Sequence, residues 1–136
     1  MSYLIDASAL LPLLKRYGEQ IAFWRHKLFI LDLTIYEVGN AIWKDLYLIK
    51  RGKIKTNLGG VRELIEAVTE ILAQLNVLSI NLEDFDRIIE ESTNLGLTFY
   101  DSAYVYYAEK NNLTLITEDR EILKKYGKAI TTKDVK

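Results

Sequence analysis

Four acidic residues stand where a carboxylate can do chemistry. Asp6 closes the short apolar run at 3–6, in Leu4-Ile5-Asp6-Ala7-Ser8, and Glu37 lies just past the apolar run at 28–33, in Thr34-Ile35-Tyr36-Glu37-Val38-Gly39-Asn40. Asp119 follows a third such run, in Thr117-Glu118-Asp119, and Asp101 opens the amphipathic stretch Thr98-Phe99-Tyr100-Asp101-Ser102. Carboxylates brought together repel one another, and a divalent cation is the natural remedy. Oxygen-only ligands, with no His or Cys beside them, select a hard ion such as Mg²⁺ or Mn²⁺. A cation so held activates water and stabilises the charge of an in-line phosphoryl displacement, chemistry that needs no histidine.

Each acid also has a simpler use. Thr34-x-x-Glu37 is a capping box, and Thr98-x-x-Asp101 is a version with a shorter acid. Asp6 and Asp119 suit ordinary N-caps, favoured further by the helix dipole. Their joint placement at helix starts, on one end of a sheet, turns the balance towards a shared site. For Asp101 this requires that its helix begin on the side where the strands end.

The surrounding elements follow from the pattern of apolar residues. Short apolar runs at 3–6, 28–33, 77–80 and 113–117 read as buried strands, with a possible fifth at 129–131. Helical stretches fall at about 8–17, 34–50, 58–75, 82–95, 98–111 and 120–126. Gly18, Gly52, Gly96 and Gly127 sit where these helices should stop. Strands alternating with helices predict a three-layer α/β/α domain around a mostly parallel sheet of four to five strands, and in such sheets ligands bind beyond the carboxyl ends of the strands.

Composition narrows the chemistry further. The 136 residues carry 18 Lys+Arg and 19 Asp+Glu, a net charge of −1, and their length fits a single domain over 1–136. With 49% apolar and 27% charged residues, disordered and fibrous classes are excluded. The absence of cysteine removes disulfides, thiolate nucleophiles and cysteine-based zinc sites, and the lone histidine, His26, removes multi-histidine sites. His26 reads as a surface or partly packed residue. No apolar run approaches a membrane span, and Asp6 interrupts the N-terminus too early for a signal peptide, so a cytoplasmic protein is expected.

The four acidic motifs together resemble the PIN-domain family, and within it the VapC-like toxin ribonucleases. The resemblance rests on Leu4-Ile5-Asp6-Ala7-Ser8-Ala9-Leu10, Glu37-Val38-Gly39-Asn40, Tyr100-Asp101-Ser102-Ala103-Tyr104 and Leu115-Ile116-Thr117-Glu118-Asp119. It implies that Asp6, Glu37, Asp101 and Asp119 are the catalytic, metal-binding quartet, holding Mg²⁺ or Mn²⁺. It implies that Thr117, Asn40 and Ser8 support the site. The activity implied is hydrolysis of RNA phosphodiesters by an endoribonuclease, leaving a 5′-phosphate and a 3′-hydroxyl. The partners implied are a small antitoxin protein and a second copy of the chain. The alternatives within the family are an RNA-processing nuclease without an antitoxin and a non-catalytic scaffold that binds RNA or protein.

Charge is unevenly spread. Residues 81–121 hold ten acids and three bases, whereas residues 44–55 hold five bases and one acid. Lys44, Lys50, Arg51, Lys53 and Lys55 form a candidate RNA-binding patch, because phosphates are gathered by Lys and Arg. Read at 100° per residue, the helix at 34–50 places Ile35, Ile42, Leu46 and Ile49 on a core stripe, with Glu37, Asn40 and Lys44 roughly opposite. Tyr36, Trp43 and Tyr47 form a third stripe that either flanks the core or marks a partner surface. Phe99, Tyr100, Tyr104, Tyr106 and Tyr107 surround Asp101, most of them as core. Asp84 reads as part of a surface turn.

Other classes lack their residues. A haloacid-dehalogenase type phosphohydrolase needs a second Asp two residues after the first, where this chain has Ser8. A response-regulator receiver needs an Asp after the third strand, where Asn81 and Leu82 stand. No glycine-rich phosphate loop is present.

Overall fold

The computed structural model describes residues 1–52 and 58–135. Among these, β1 (Tyr3–Ile5), β2 (Leu28–Leu31), β3 (Asn76–Leu78) and β4 (Thr114–Ile116) form a sheet in the order β3-β2-β1-β4, parallel at every pairing. The helices are α1 (Ala7–Tyr17), α2 (Asp32–Lys50), α3 (Leu58–Leu72), α4 (Phe85–Leu95), α5 (Phe99–Lys110) and α6 (Arg120–Lys125). None of them is long and apolar enough to cross a membrane.

Consecutive strand residues point to opposite faces, and here both faces are covered. Ile5, Ile30 and Ile116 pack with Leu10, Leu14, Val38, Val68 and Ile71, from α1, α2 and α3. Their neighbours Leu4, Leu31 and Leu115 pack with Ile88, Tyr104, Val105 and Ile122, from α4, α5 and α6. This double burial explains why the strands read as unbroken apolar runs, and it makes the three layers. The chain steps outward from β1 to β2 and β3, then returns to add β4 on the other side of β1. The topological switch therefore falls between β1 and β4, the place where ligands bind in sheets of this kind.

Several boundaries differ from the sequence pattern. The fifth strand is reduced to one parallel bridge, Ile130 with Ile116. Residues 18–27, unassigned by periodicity, form 3₁₀ turns from Gly18 to Lys27. Gly96 closes α4 in the left-handed conformation (φ 69°, ψ 32°), as expected of a terminal glycine. Gly127 has no positive φ, because α6 has already ended against Tyr126.

The larger correction concerns α2. It begins at Asp32, directly after β2, so Thr34 is inside the helix and the expected capping box does not form. Thr34 is instead fully buried, with Oγ1 2.7 Å from the Tyr104 hydroxyl. That contact turns Thr34 and Val38 to the core and leaves Ile35 41% exposed, off the stripe assigned to it. Asp84 is not on a surface turn either. It is 5% exposed and accepts from the hydroxyls of Tyr106 and Tyr107 and from Lys110 Nζ, all on α5.

Candidate active site

The parallel sheet brings β1, β2 and β4 to an end at one edge, and the acids lie there. Asp6 follows β1 and caps α1, its Oδ1 accepting from Ala9 N at 3.1 Å. Asp119 follows β4 and caps α6, its Oδ1 accepting from Glu121 N and Ile122 N. The capping roles of both are therefore real, but each cap engages Oδ1 alone: Asp6 Oδ2 meets Thr117 Oγ1, and Asp119 Oδ2 accepts no hydrogen bond among the described residues. Glu37 lies in the second turn of α2. Asp101 lies in the first turn of α5, whose N-terminus is capped by Thr98 Oγ1 accepting from Asp101 N. Since α5 leads into the start of β4, its own start lies at the edge where the strands end.

A web of hydroxyls joins the elements. Thr117 Oγ1 donates to Asp6 Oδ2 and accepts from Asp119 N at 3.0 Å, so one hydroxyl spans the switch point. Ser8 Oγ donates to Asp6 Oδ1 at 2.6 Å and accepts from Glu118 N at 2.9 Å. Tyr104, one turn after Asp101, donates its hydroxyl to Glu37 Oε1 at 2.6 Å while meeting Thr34. It thereby fastens α5 to α2 beneath the acids. Glu118 turns away, its Oε1 accepting from Thr132 N and Oγ1.

The acids feel one another's charge. Burial pushes the Asp6 carboxyl up to about 6, against the pull of Ser8, Thr117 and the Ala9 amide, and the Glu37 charge adds to the rise. Asp101 is also raised, first by burial, then by the charge of Asp119, with Glu37 and Glu121 contributing. Asp6 is thus linked to Glu37, Glu37 to Asp101, and Asp101 to Asp119. Among the described residues no Lys or Arg pairs with any of the four; the ion pairs there are Lys110–Asp84 and Lys125–Glu121. Uncompensated carboxylates with oxygen-only neighbours fit a hard divalent cation. No group of three or more His, Asp or Glu among the described residues already stands in metal-holding geometry. One or two carboxylates with water completing the shell is the common arrangement for Mg²⁺.

The remaining expected residues are placed less closely. Asn40 is exposed one turn beyond Glu37, with no hydrogen bond to the acids among the described residues. Lys44, Lys50 and Arg51 are exposed farther along α2, and Arg51 lies over the Tyr47 ring at 5.3 Å. Lys53 and Lys55 lie outside the described residues. His26 is exposed. The aromatic stripe divides: Trp43 and Tyr47 stack at 5.5 Å beside α3, whereas Tyr36 lines a pocket with Phe99 and Tyr100 of α5. Sequence reasoning missed Tyr104 as the partner of Glu37. The available signal was its spacing of three from Asp101, which puts both on one helical face.

Comparison with known proteins identifies the family. The family model of the PIN domain matches residues 3–129. The chain is 40% identical over 132 residues to Exonuclease VapC9 of Pyrobaculum aerophilum, spanning 96% of this chain and 90% of that one. It is 29% identical to Ribonuclease VapC3 of the same organism, spanning 96% and 99%. A crystal structure of a Pyrobaculum aerophilum protein superposes with a TM-score of 0.80 at 38% identity, covering 98% of this chain and 85% of that one. A toxin–antitoxin complex from Klebsiella pneumoniae shares the fold, with a TM-score of 0.58 at 20% identity over 89% and 90%. With its acids at the switch point of a parallel sheet and VapC proteins as its kin, the chain belongs to the PIN-domain family, among its VapC-like members.

Proposed function

We propose that the chain is a metal-dependent endoribonuclease and the toxin of a VapBC-type pair. The observation that carries this is the coupling of Asp6, Glu37, Asp101 and Asp119, from four elements, with no pairing cation among the described residues. These four would hold Mg²⁺ or Mn²⁺. When bound, such an ion lowers the pKa of water and neutralises charge on the phosphoryl oxygens. The protein's part is to present fixed anionic oxygens. Thr117 and Ser8 orient Asp6, and Tyr104 fixes Glu37. At neutral pH most of the Asp6 carboxyl is ionised, since about 6 lies below 7. Lys44, Lys50 and Arg51 would gather phosphates along α2, joined by Lys53 and Lys55 that follow in the sequence; Lys50 stands about 20 Å from Glu37, at 1.5 Å per residue.

A second reading is favoured by one observation: the 40% identical relative is named an exonuclease. The kinship with VapC proteins also supports an antitoxin partner, a homodimer and a cytoplasmic setting in this proposal. Incubating the protein with linear and circular forms of one RNA, in Mg²⁺, Mn²⁺ and EDTA, tests the activity. Opening of the circle supports the endonuclease. Shortening of the linear form alone supports the exonuclease. Cleavage unchanged in EDTA overturns the metal dependence, and no cleavage with either metal supports a scaffold.

A further inference from the structure

An apolar pocket of about 230 Å³ lies between the start of α2 and the start of α5, the helices that carry Glu37 and Asp101. Its walls include Tyr36, Tyr100, Phe99, Ile80 and Tyr107, together with Asp32. Tyr36 is 77% exposed and Tyr100 62% exposed, so neither ring is needed to fill the core. Each adjoins an acid of the proposed site along the chain, Tyr36 before Glu37 and Tyr100 before Asp101. Resting on the nuclease reading, we propose that this pocket is a nucleobase subsite, taking a base next to the phosphodiester that the acids engage.

The chemistry favours a base over a protein side chain. A single-stranded nucleic acid presents a flat ring to every aromatic face it meets, and such stacking is tolerant of sequence. The pocket lies between the first turns of the two helices that carry Glu37 and Asp101, so a base that enters it would hold its own backbone near the start of those helices. Asp32 offers a carboxylate of which one oxygen accepts from Leu33 N at 2.9 Å, while the other accepts no hydrogen bond among the described residues. A carboxylate accepts from the amino edges of cytosine, adenine and guanine. Uracil presents carbonyls on both sides of its single N–H and is disfavoured. The subsite therefore prefers amino-bearing bases.

Short single-stranded RNAs carrying one 2-aminopurine, placed in turn at each position, test this in EDTA, without any cleavage. Stacking quenches the probe, and the expected result is strong quenching at one position with the wild-type protein. Tyr36→Leu and Tyr100→Leu should each abolish that quenching and weaken RNA binding about tenfold or more, as stacking on one aromatic is worth. Tyr100→Phe, which keeps the ring, should retain it. In Mg²⁺, an abasic nucleotide at the quenched position should slow cleavage by wild type but make no further difference to the Leu variants. Equal quenching in wild type and the Leu variants overturns the proposal, as does an undiminished abasic penalty. So does a loss confined to self-association or to protein-partner binding, which would make the pocket a protein contact. Quenching without cleavage in Mg²⁺ or Mn²⁺ would count against the nuclease reading and leave the subsite standing.

Discussion

Asp6 holds a helix start and a place in the acid cluster with one carboxylate, and the two roles separate on substitution. Asparagine caps about as well as aspartate. The Asn amide can donate to the Thr117 hydroxyl, which turns to accept it. The folded-state pKa of Asp6 is raised from 3.8 to about 6, so the folded protein binds the proton more tightly than the unfolded chain between those values. Stability contributed by this group is present below pH 3.8 and is lost as pH rises through 6, a loss of about 3 kcal/mol at neutral pH. Asp6→Asn should therefore melt no lower than wild type in EDTA near pH 7, with a smaller stabilisation by added Mg²⁺, as thermal melting with and without the metal will show. Tyr104→Phe tests positioning. Removing the hydroxyl frees Glu37 and leaves the buried Thr34 Oγ1 without its partner, for about 1–2 kcal/mol of stability. The turnover rate should fall about tenfold with little change in KM; unchanged turnover would mean that Glu37 needs no support.

At the scale of elements, α5 carries two separate attachments. Tyr104 ties its first half to α2, while Tyr106, Tyr107 and Lys110 close over Asp84 at the start of α4. Lys110 above all holds the Asp84 carboxyl below its ordinary range, so its stabilising contribution is present above pH 4 and is lost as pH falls further. Asp84→Asn should lower the melting temperature at pH 7 by several degrees, lose that difference as the pH falls through the depressed folded-state pKa of Asp84, and leave cleavage by the folded protein intact. The basic end of α2 belongs to this scale too. Replacing Lys50, Arg51, Lys53 and Lys55 together with alanine should reduce the slope of log affinity against log salt by about 2–3, at ~0.7 per phosphate contact. An unchanged slope would leave the patch a solvated face. The four strands were legible because both faces are buried, which writes an uninterrupted apolar run. The start of α2 was not, because Thr34-x-x-Glu37 has the spacing of a cap while the real constraint, Tyr104, stands seventy residues away. Asp84 was misread for the same reason: its partners lie on a helix that packs against it only in the fold.

For the whole molecule, the order of the strands makes the site. Adding β4 beside β1 brings Thr117 and Asp119 to Asp6 across more than a hundred residues, and α2 and α5 enter from either face of the sheet with Glu37 and Asp101. The motifs named these residues, but their convergence depended on the side from which α5 starts, which spacing cannot express. The outer surface keeps a second aromatic feature, Trp43 stacked on Tyr47 over a groove with Lys50 and Arg62. Trp43 is 58% exposed, so Trp43→Ala should leave the monomer's melting unchanged while weakening the homodimer or antitoxin binding. Sedimentation of wild type and variant checks this, and a collapsed variant would return Trp43 to the core.

The central claim is that the four acids act as one metal site on RNA. It is tested most directly by single-turnover cleavage of one defined RNA by wild type, Asp6→Asn, Glu37→Gln, Asp101→Asn and Asp119→Asn, each confirmed folded by its melting curve. Wild type should cleave in Mg²⁺ or Mn²⁺ and stop in EDTA, and each variant should lose roughly a hundredfold or more. Full activity in Asp6→Asn or Asp101→Asn protein would contradict it, and would leave the acids as caps on helix ends.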